Sequence, residues 1–520
     1  MNPNAQRRVG FAALLLSASL IASRLLGFVR DAVIAYRLGA GPETDAYYAA
    51  FFVPDLLNYL LSGGALSITF IPLFARYLQE GDAARGWRLL SNVVTILGGA
   101  LLVATAAAFV SAPTLIAGWY PDFDAAQVEL TVKLTRIVLF GPLFFLVGGL
   151  LNAAEMAYER FTAAALMPLV YNACIIAGGL FLEPWMGVAG FSVGAMVGVI
   201  LGPFAVPALF VRRHARLRLS ASLRDPDFKR YIELAIPLMF GVSLVFFDER
   251  IAQRVATEDG AITWLNNARR LLLVPVGIIG QSLGQAALPT LSRLFAADRH
   301  EDLHDTLCSA IRVATSLSVI GGCALALASA PIAAIVYGRG AYTLEDTLAT
   351  AALLRWLALG TVAWSLQPLL VRGFFAREVM WAPMWLGTAL VVAAYPLYGA
   401  LHTRFGTEGL ALASALALSA HAFGLVALHH VRFGRGLWSP VFRGLVDSAP
   451  GAALGGAAAW FVHSAVFGTE PTAPTSPLLQ FAVLGASFAL PALGGLFLTN
   501  SPGAGAVRAM ARKLLAKLQR

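Results

Sequence analysis

The sequence predicts an all-α polytopic membrane protein of about fourteen transmembrane helices, arranged as two pseudo-symmetric six-helix lobes followed by two further helices. Three observations carry this expectation. Of the 520 residues, 58% are hydrophobic and only 13% charged, about half of the roughly 25% that soluble domains carry, and the mean hydropathy is +0.71; a soluble enzyme is excluded. Apolar runs recur along the whole length, and at about 20 residues per span plus a short connection the chain has room for little else. Cations, finally, are concentrated in alternate connections between those runs.

The first apolar run, Phe11 to about Leu38, follows Arg7 and Arg8 as a signal peptide would, yet it is too long and no small-residue cleavage site ends it. Further spans are expected near 46–77, 88–117, 131–153, 161–182, 185–211, 232–256, 262–296, 308–337, 348–371, 380–401, 408–430, 447–467 and 478–499. One set of connections holds Arg76, Arg85 and Arg88, the run from Arg212 to Arg230, Arg293 and Arg299, and Arg432, Arg435 and Arg443. The other set is poor in cations and includes Asp122, Asp124, Glu129, Glu258, Asp259 and the uncharged stretch around Pro471 to Pro477. Basic short loops stay in the cytoplasm, so both termini are expected there, as an even span count requires. Most of the net charge of +9 is then orientation signal, and no nucleic-acid partner is expected. In the tail, residues 501–520, Val507, Met510, Leu514, Leu515 and Leu518 stand at helical spacing against Arg508, Arg512, Lys513, Lys517 and Arg520. That pattern predicts an amphipathic helix on the anionic inner leaflet, with membrane lipids as partners. Cys174, Cys308 and Cys323 make neither a disulfide framework nor a metal-ligand spacing.

Sliding the chain on itself by 217 residues aligns Leu56, Gly63, Pro72, Arg76 and Arg160 with Leu273, Gly280, Pro289, Arg293 and Arg377. At 219, Gly187 and Gly190 meet Gly406 and Gly409. The common order and near-constant offset predict two homologous halves, 1–215 and 225–433, with residues 445–500 as an added helix pair. Six spans separate the halves, so the repeat is parallel, a plan common among alternating-access transporters.

An ionisable residue inside a span is costly unless it meets a partner or a polar cavity, so such positions point to function. The first span contains Arg24, Arg30 and Asp31; the second opens with Asp45 and contains Asp55 and Asn58. Asp248, Glu249 and Arg250 interrupt the seventh, and Arg269 and Arg270 sit early in the eighth. A structural ion pair is the competing reading, strongest for Asp248 to Arg250, where one acid can neutralise the neighbouring arginine. If the halves face each other, Arg24, Arg30, Arg269 and Arg270 converge on one cavity, and their planar donor forks suit pyrophosphate oxygens. Gly27, Pro54, Gly64, Pro72, Pro275 and Pro289 supply bends and close contacts within these spans.

The segment Ser23 to Asp31, SRLLGFVRD, with Gly39 to Gly41, Thr44-Asp45-Ala46, Gly64-Ala65 and Phe70-Ile71-Pro72, resembles the amino-terminal signature of the MurJ (MviN) family of lipid II flippases, within the multidrug/oligosaccharidyl-lipid/polysaccharide exporter superfamily. Ala268 to Ala296, ARRLLLVPVGIIGQSLGQAALPTLSRLFA, resembles the family's matching stretch in the second lobe. The resemblance covers essentially the whole chain. It implies a V-shaped bundle with a central cationic cavity, a groove for the polyprenyl tail on the last two helices, and movement of lipid II from the cytoplasmic to the periplasmic leaflet of the bacterial inner membrane. By position it makes Arg24, Arg30 and Arg270 the cavity arginines on the pyrophosphate and headgroup, and Asp45 the functional aspartate of the second span; Asp31 and Asp45 are the expected switching residues. The chain departs from the family pattern at Asn58, where an arginine is usual, at Gly63, where a glutamate is common, and at Arg269, where an acid often stands. Asn58 and Arg269 therefore join the expected substrate-binding residues, with altered headgroup contacts. Some members resemble sodium-linked transporters, but the eleventh span has no Asp or Asn to complete such a site with Asp248.

No cofactor and no metal are expected. The chain has no G-x-x-x-x-G-K-[ST] loop, and His421, His429, His430 and His463 read as packing or capping residues. Three alternatives stay open: a flippase for another polyprenyl-pyrophosphate-linked glycan, a polytopic glycosyltransferase using Asp122 and Asp124 as a metal-binding pair, and a scaffold without transport. Cell-wall synthesis machinery is the candidate protein partner.

Overall fold

The computed structural model describes residues 3–61, 64–212, 217–240, 243–467, 476–499, 502–505 and 508, with nothing described of the side chains of residues 3–17, 61, 64–68, 237–240 and 243–245. Gly63, the stretch before Pro477 and most of the basic tail, including Val507, Met510, Leu514, Leu515 and Leu518, lie outside the described residues. Regular structure among the described residues is entirely helical. The chain divides into two compact units, 1–240 with 339–342, and 241–338 with 343–520.

The first unit contains α1 (Pro3–Leu38), α2 (Pro42–Ala49), α3 (Phe52–Leu61), α4 (Gly64–Gln79), α5 (Ala83–Trp119), α6 (Ala125–Val138), α7 (Gly141–Ala157), α8 (Thr162–Ala177), α9 (Glu183–Met186), α10 (Ala189–Val199), α11 (Val206–Val211) and α12 (Pro226–Phe240). The second contains α13 (Ser243–Val255), α14 (Ala261–Val276), α15 (Ser282–Ala296), α16 (His300–Leu327), α17 (Ser329–Val336), α18 (Leu344–Ala358), α19 (Thr361–Phe375), α20 (Trp381–Phe433), α21 (Trp438–Phe467) and α22 (Pro477–Leu498). Among the described residues, nine helices are long and apolar enough to cross a membrane, ten if the bent pair α18 and α19 is one span. That measure, taken over the described residues alone, does not reach the expected count of fourteen. The second span is interrupted between α2 and α3, and the seventh carries Asp248, Glu249 and Arg250 in α13; residues 62–63 and 241–242, between α3 and α4 and between α12 and α13, lie outside the described residues. The eleventh and twelfth are two helical arms that meet without a loop at the non-helical Gly406 and so count together as α20.

That turn has a counterpart. Gly187 stands at φ 58°, ψ −146° and Gly406 at φ 58°, ψ −147°, a conformation essentially closed to residues with a Cβ. Other punctuation repeats at nearly the same offset: left-handed Gly81 and Asp298 end α4 and α15, and left-handed Glu159 and Glu378 follow α7 and α19. A capping box opens α6 through Asp124 and Gln127, and another opens α18 through Thr343 and Asp346. Each box satisfies backbone donors that no helical carbonyl reaches.

The core of the first unit is aromatic at one end, where Phe70, Phe74, Tyr77, Trp87 and Tyr231 are all at most 1% exposed. Phe228, Tyr231 and Ala235 bring α12 into this core, although the repeat assigns α12 to the second half. The connection before α12 is bound to α5: Ser222 N–H donates to Asn92 Oδ1 at 2.7 Å, and Asn92 Nδ2 donates to the Ser222 carbonyl at 2.8 Å. Arg85 then clamps Asp227 at 2.6 and 2.8 Å. In the second unit, Arg312 holds Asp447 bidentately at 2.6 and 2.9 Å, tying α16 to α21. The helix pair α21 and α22 packs Ala459, Leu484, Phe488 and Ala492 against Ile320, Cys323, Ala324 and Leu327 of α16.

Candidate functional site

In the first unit the site centres on α1 and α8. Arg30, 13% exposed at its side chain, donates from Nε at 2.9 Å and Nη2 at 2.7 Å to Asp31 Oδ1, and from Nη1 to Asn172 Oδ1 at 3.0 Å. Asn172 is fixed in turn, its Nδ2 donating to the Pro168 carbonyl at 2.9 Å. Asp31 is buried, so each charge of this pair offsets the cost of burying the other. Arg24, six residues earlier on α1, is exposed. Asp45 is buried in the first turn of α2, where the helix dipole favours an anion, and the turn before it is held by Thr44 Oγ1 donating to the Gly39 carbonyl at 3.1 Å.

Asn58 lies beside a cavity of about 100 Å³ in the same unit, lined also by Phe51, Pro54, Asp55, Phe145 and Tyr171. The cavity sits where two spans break, between α2 and α3 and between α6 and α7. Thr135 Oγ1 donates to the Ala50 carbonyl at 3.2 Å, satisfying one backbone acceptor at the first break.

In the second unit the two neighbouring arginines part company. Arg270 is exposed. Arg269 points into the core, 5% exposed, with Nη1 donating to Asp248 Oδ2 at 2.6 Å and Nη2 to Ser414 Oγ at 3.2 Å. Ser414 Oγ donates to the same carboxylate oxygen at 2.6 Å, and Tyr398 Oη donates to Asp248 Oδ1. One carboxylate thereby joins α13, α14 and both arms of α20. The expected display of Arg269 alongside Arg270 is not what the helix produces: consecutive residues lie about 100° apart on a helix, so one faces the core when the other faces out. Within the Asp248 to Arg250 cluster, Asp248 takes its cation from Arg269 and not from the neighbouring Arg250. Tyr398, Ser414 and Asn172 were not among the expected site residues; lone polar residues in apolar spans carry no periodic signal, although a buried tyrosine hydroxyl generally needs a partner.

Elsewhere the structure assigns plain roles. Asp124 caps α6, accepting from Gln127 N–H at 2.7 Å. His429 faces Arg377 Nη1 at 2.8 Å through Nε2 and the Arg435 carbonyl at 3.0 Å through Nδ1. Outside the spans, the hydrogen bonds from Arg85 hold the Asp227 carboxyl below its ordinary value of 3.8.

The family model described as lipid II flippase MurJ matches residues 34–466. The chain belongs to the MurJ family. It is 30% identical over 469 residues to a probable lipid II flippase MurJ of Haemophilus influenzae, covering 84% of this chain and 90% of that one. It is 29% identical over 403 residues to a lipid II flippase MurJ of Burkholderia cenocepacia, covering 73% and 76%. Among solved structures it resembles a lipid II flippase MurJ in an inward closed conformation, with a TM-score of 0.75 at 21% identity over 92% of this chain and 98% of that one. An inward-facing MATE family multidrug transporter of the MOP superfamily matches with a TM-score of 0.66 at 15% identity, over 82% and 98%. These two likenesses show the fold, and with the family match the chain is a multi-pass helical membrane protein.

Proposed function

We propose that the chain is a lipid II flippase, carrying the undecaprenyl-pyrophosphate-linked peptidoglycan precursor from the cytoplasmic to the periplasmic leaflet of the bacterial inner membrane by alternating access. The family match over residues 34–466 carries this reading. In it, residues 1–215 and 225–433 are two rocking lobes, residues 445–500 receive the lipid tail, and both termini and the basic tail at 501–520 are cytoplasmic. Cell-wall synthesis enzymes are the protein partners it suggests.

Arg24, Arg30 and Arg270 bind the pyrophosphate and headgroup, and Asn58 contacts the sugar-peptide part. Arg30 shows how such binding remains reversible. Asp31 and Asn172 occupy three of its five N–H groups, so an incoming phosphate competes with a resident carboxylate and is released when that carboxylate rebinds. Asp31 is thus the exchange partner of Arg30, and Asp45 anchors the turn at which α1 hands over to α2. Arg269 acts as a positioning residue: by pairing with Asp248 it fixes α14 and keeps Arg270 turned outward.

The test is reconstitution. In proteoliposomes holding fluorescent lipid II, the protein should accelerate its appearance in the opposite leaflet, and Arg30→Ala and Arg270→Ala should reduce movement to the protein-free rate while eluting as folded monodisperse protein. Wild-type rates in both variants would sink the assignment of those arginines.

A further inference from the structure

The cavity at the two broken spans is unlike the rest of the proposed transport path in its charge. Its lining includes a carboxylate, Asp55, an amide, Asn58, and the ring of Tyr171, with Phe51 and Phe145 among the apolar walls and no cation among the lining residues. The nearby Arg30, held by the residue next to Tyr171, has its charge met by Asp31. At about 100 Å³ the cavity is well under the roughly 300 Å³ at which sites for drug-sized ligands begin. It therefore takes an end group and not a headgroup entire.

We propose that this pocket receives a primary ammonium carried by the cargo's headgroup, with Asp55 as its counter-charge and Asn58 as a second acceptor. The inference rests on the flippase reading above and names a group which that reading leaves unspecified. An ammonium has three donors and no acceptor, and a carboxylate with an amide oxygen three residues along the same helix offers it charge-assisted bonds. Aromatic walls add attraction through their ring faces, strongest where water is excluded. An anionic group would meet Asp55 with repulsion, and a purely apolar one would set no donor against the Asp55 carboxylate or the Asn58 amide. The junctions between α2 and α3 and between α6 and α7 give the pocket its place.

The same ammonium chemistry occurs on cargo peptides and on aminophospholipids, so the experiment separates them. Full-length protein in nanodiscs of phosphatidylglycerol alone is titrated with a lipid II analogue bearing a free side-chain amine and with its N-acetylated counterpart. The free amine should bind about tenfold more tightly in the wild type, a gain in the range of one charge-assisted contact. Asp55→Asn should bind the two forms alike, with unchanged affinity for the acetylated form showing that the variant is folded, and Asp55→Glu should restore part of the preference. Equal binding of both forms by the wild type overturns the pocket assignment and leaves the flippase reading standing. Binding of neither form overturns that reading and this assignment with it. A preference that vanishes when phosphatidylethanolamine is added assigns the pocket to membrane lipid and overturns the cargo assignment.

Discussion

Replacing Arg269 by methionine keeps a long apolar stem and removes the charge, which isolates what the guanidinium does for Asp248. The pair is withdrawn from solvent, with side-chain exposures of 6% and 0%, so water cannot replace the lost partner. Ser414 and Tyr398 still donate to the carboxylate, but two neutral donors do not balance its charge. Breaking a buried pair from one side costs about 3–5 kcal/mol, and Arg269→Met should fall in that range. Asp248→Asn should cost a similar amount, because it leaves Arg269 buried without its anion. The double variant strands neither charge and should regain about 2–3 kcal/mol relative to the sum of the singles, at the upper end of measured couplings between contacting residues. Equilibrium unfolding in mixed micelles, followed by tryptophan fluorescence, supplies the four free energies. Additivity of the two substitutions within about 0.5 kcal/mol would refute the claim that this pair holds α13, α14 and α20 together.

Tyr398→Phe removes the hydroxyl that donates to Asp248 Oδ1 and should cost about 1.5–3 kcal/mol in the same unfolding assay, the range for a hydrogen bond to a charged group. Asp124→Ala should cost about 1 kcal/mol through the lost cap and leave lipid movement in proteoliposomes intact; loss of activity with full stability would revive a chemical role for Asp122 and Asp124. At the α5–α12 clamp, the folded Asp227 carboxyl lies below its ordinary value, so its stabilisation is fully present above that value and is lost as pH falls through the lowered one. Arg85→Gln should therefore narrow the difference in stability between neutral and acid pH, read from melts at pH 7 and pH 3; an unchanged acid dependence would remove the clamp from the account.

Much of this architecture is legible in the chain, and the illegible parts have identifiable causes. Helical content, polytopic character and family follow from hydropathy, from loop charge and from segments such as Ser23 to Asp31. The breaks were harder to read. Hydropathy over 46–77 and 131–153 is continuous, whereas the backbone interrupts both, and Pro54 and Pro142 were the local signals available. Asp248 stands out as an ionisable residue in an apolar run, yet its cation lies 21 residues away on another helix, while Arg250 is nearer in sequence. Sequence proximity misleads there because residues two apart on a helix point to opposite sides. The placement of α12 with the first unit depends on Phe228 and Tyr231 meeting aromatic residues from α4 and α5, a tertiary match that no single segment announces.

The most direct measurement for the flippase reading is complementation in bacteria depleted of their own lipid II flippase. The wild-type chain should restore growth and normal cell shape, and Arg24→Ala, expressed in the membrane at the same level, should fail to do so. A wild-type chain that reaches the membrane at normal levels and does not rescue, or an Arg24→Ala variant that rescues as well as wild type, would contradict the account.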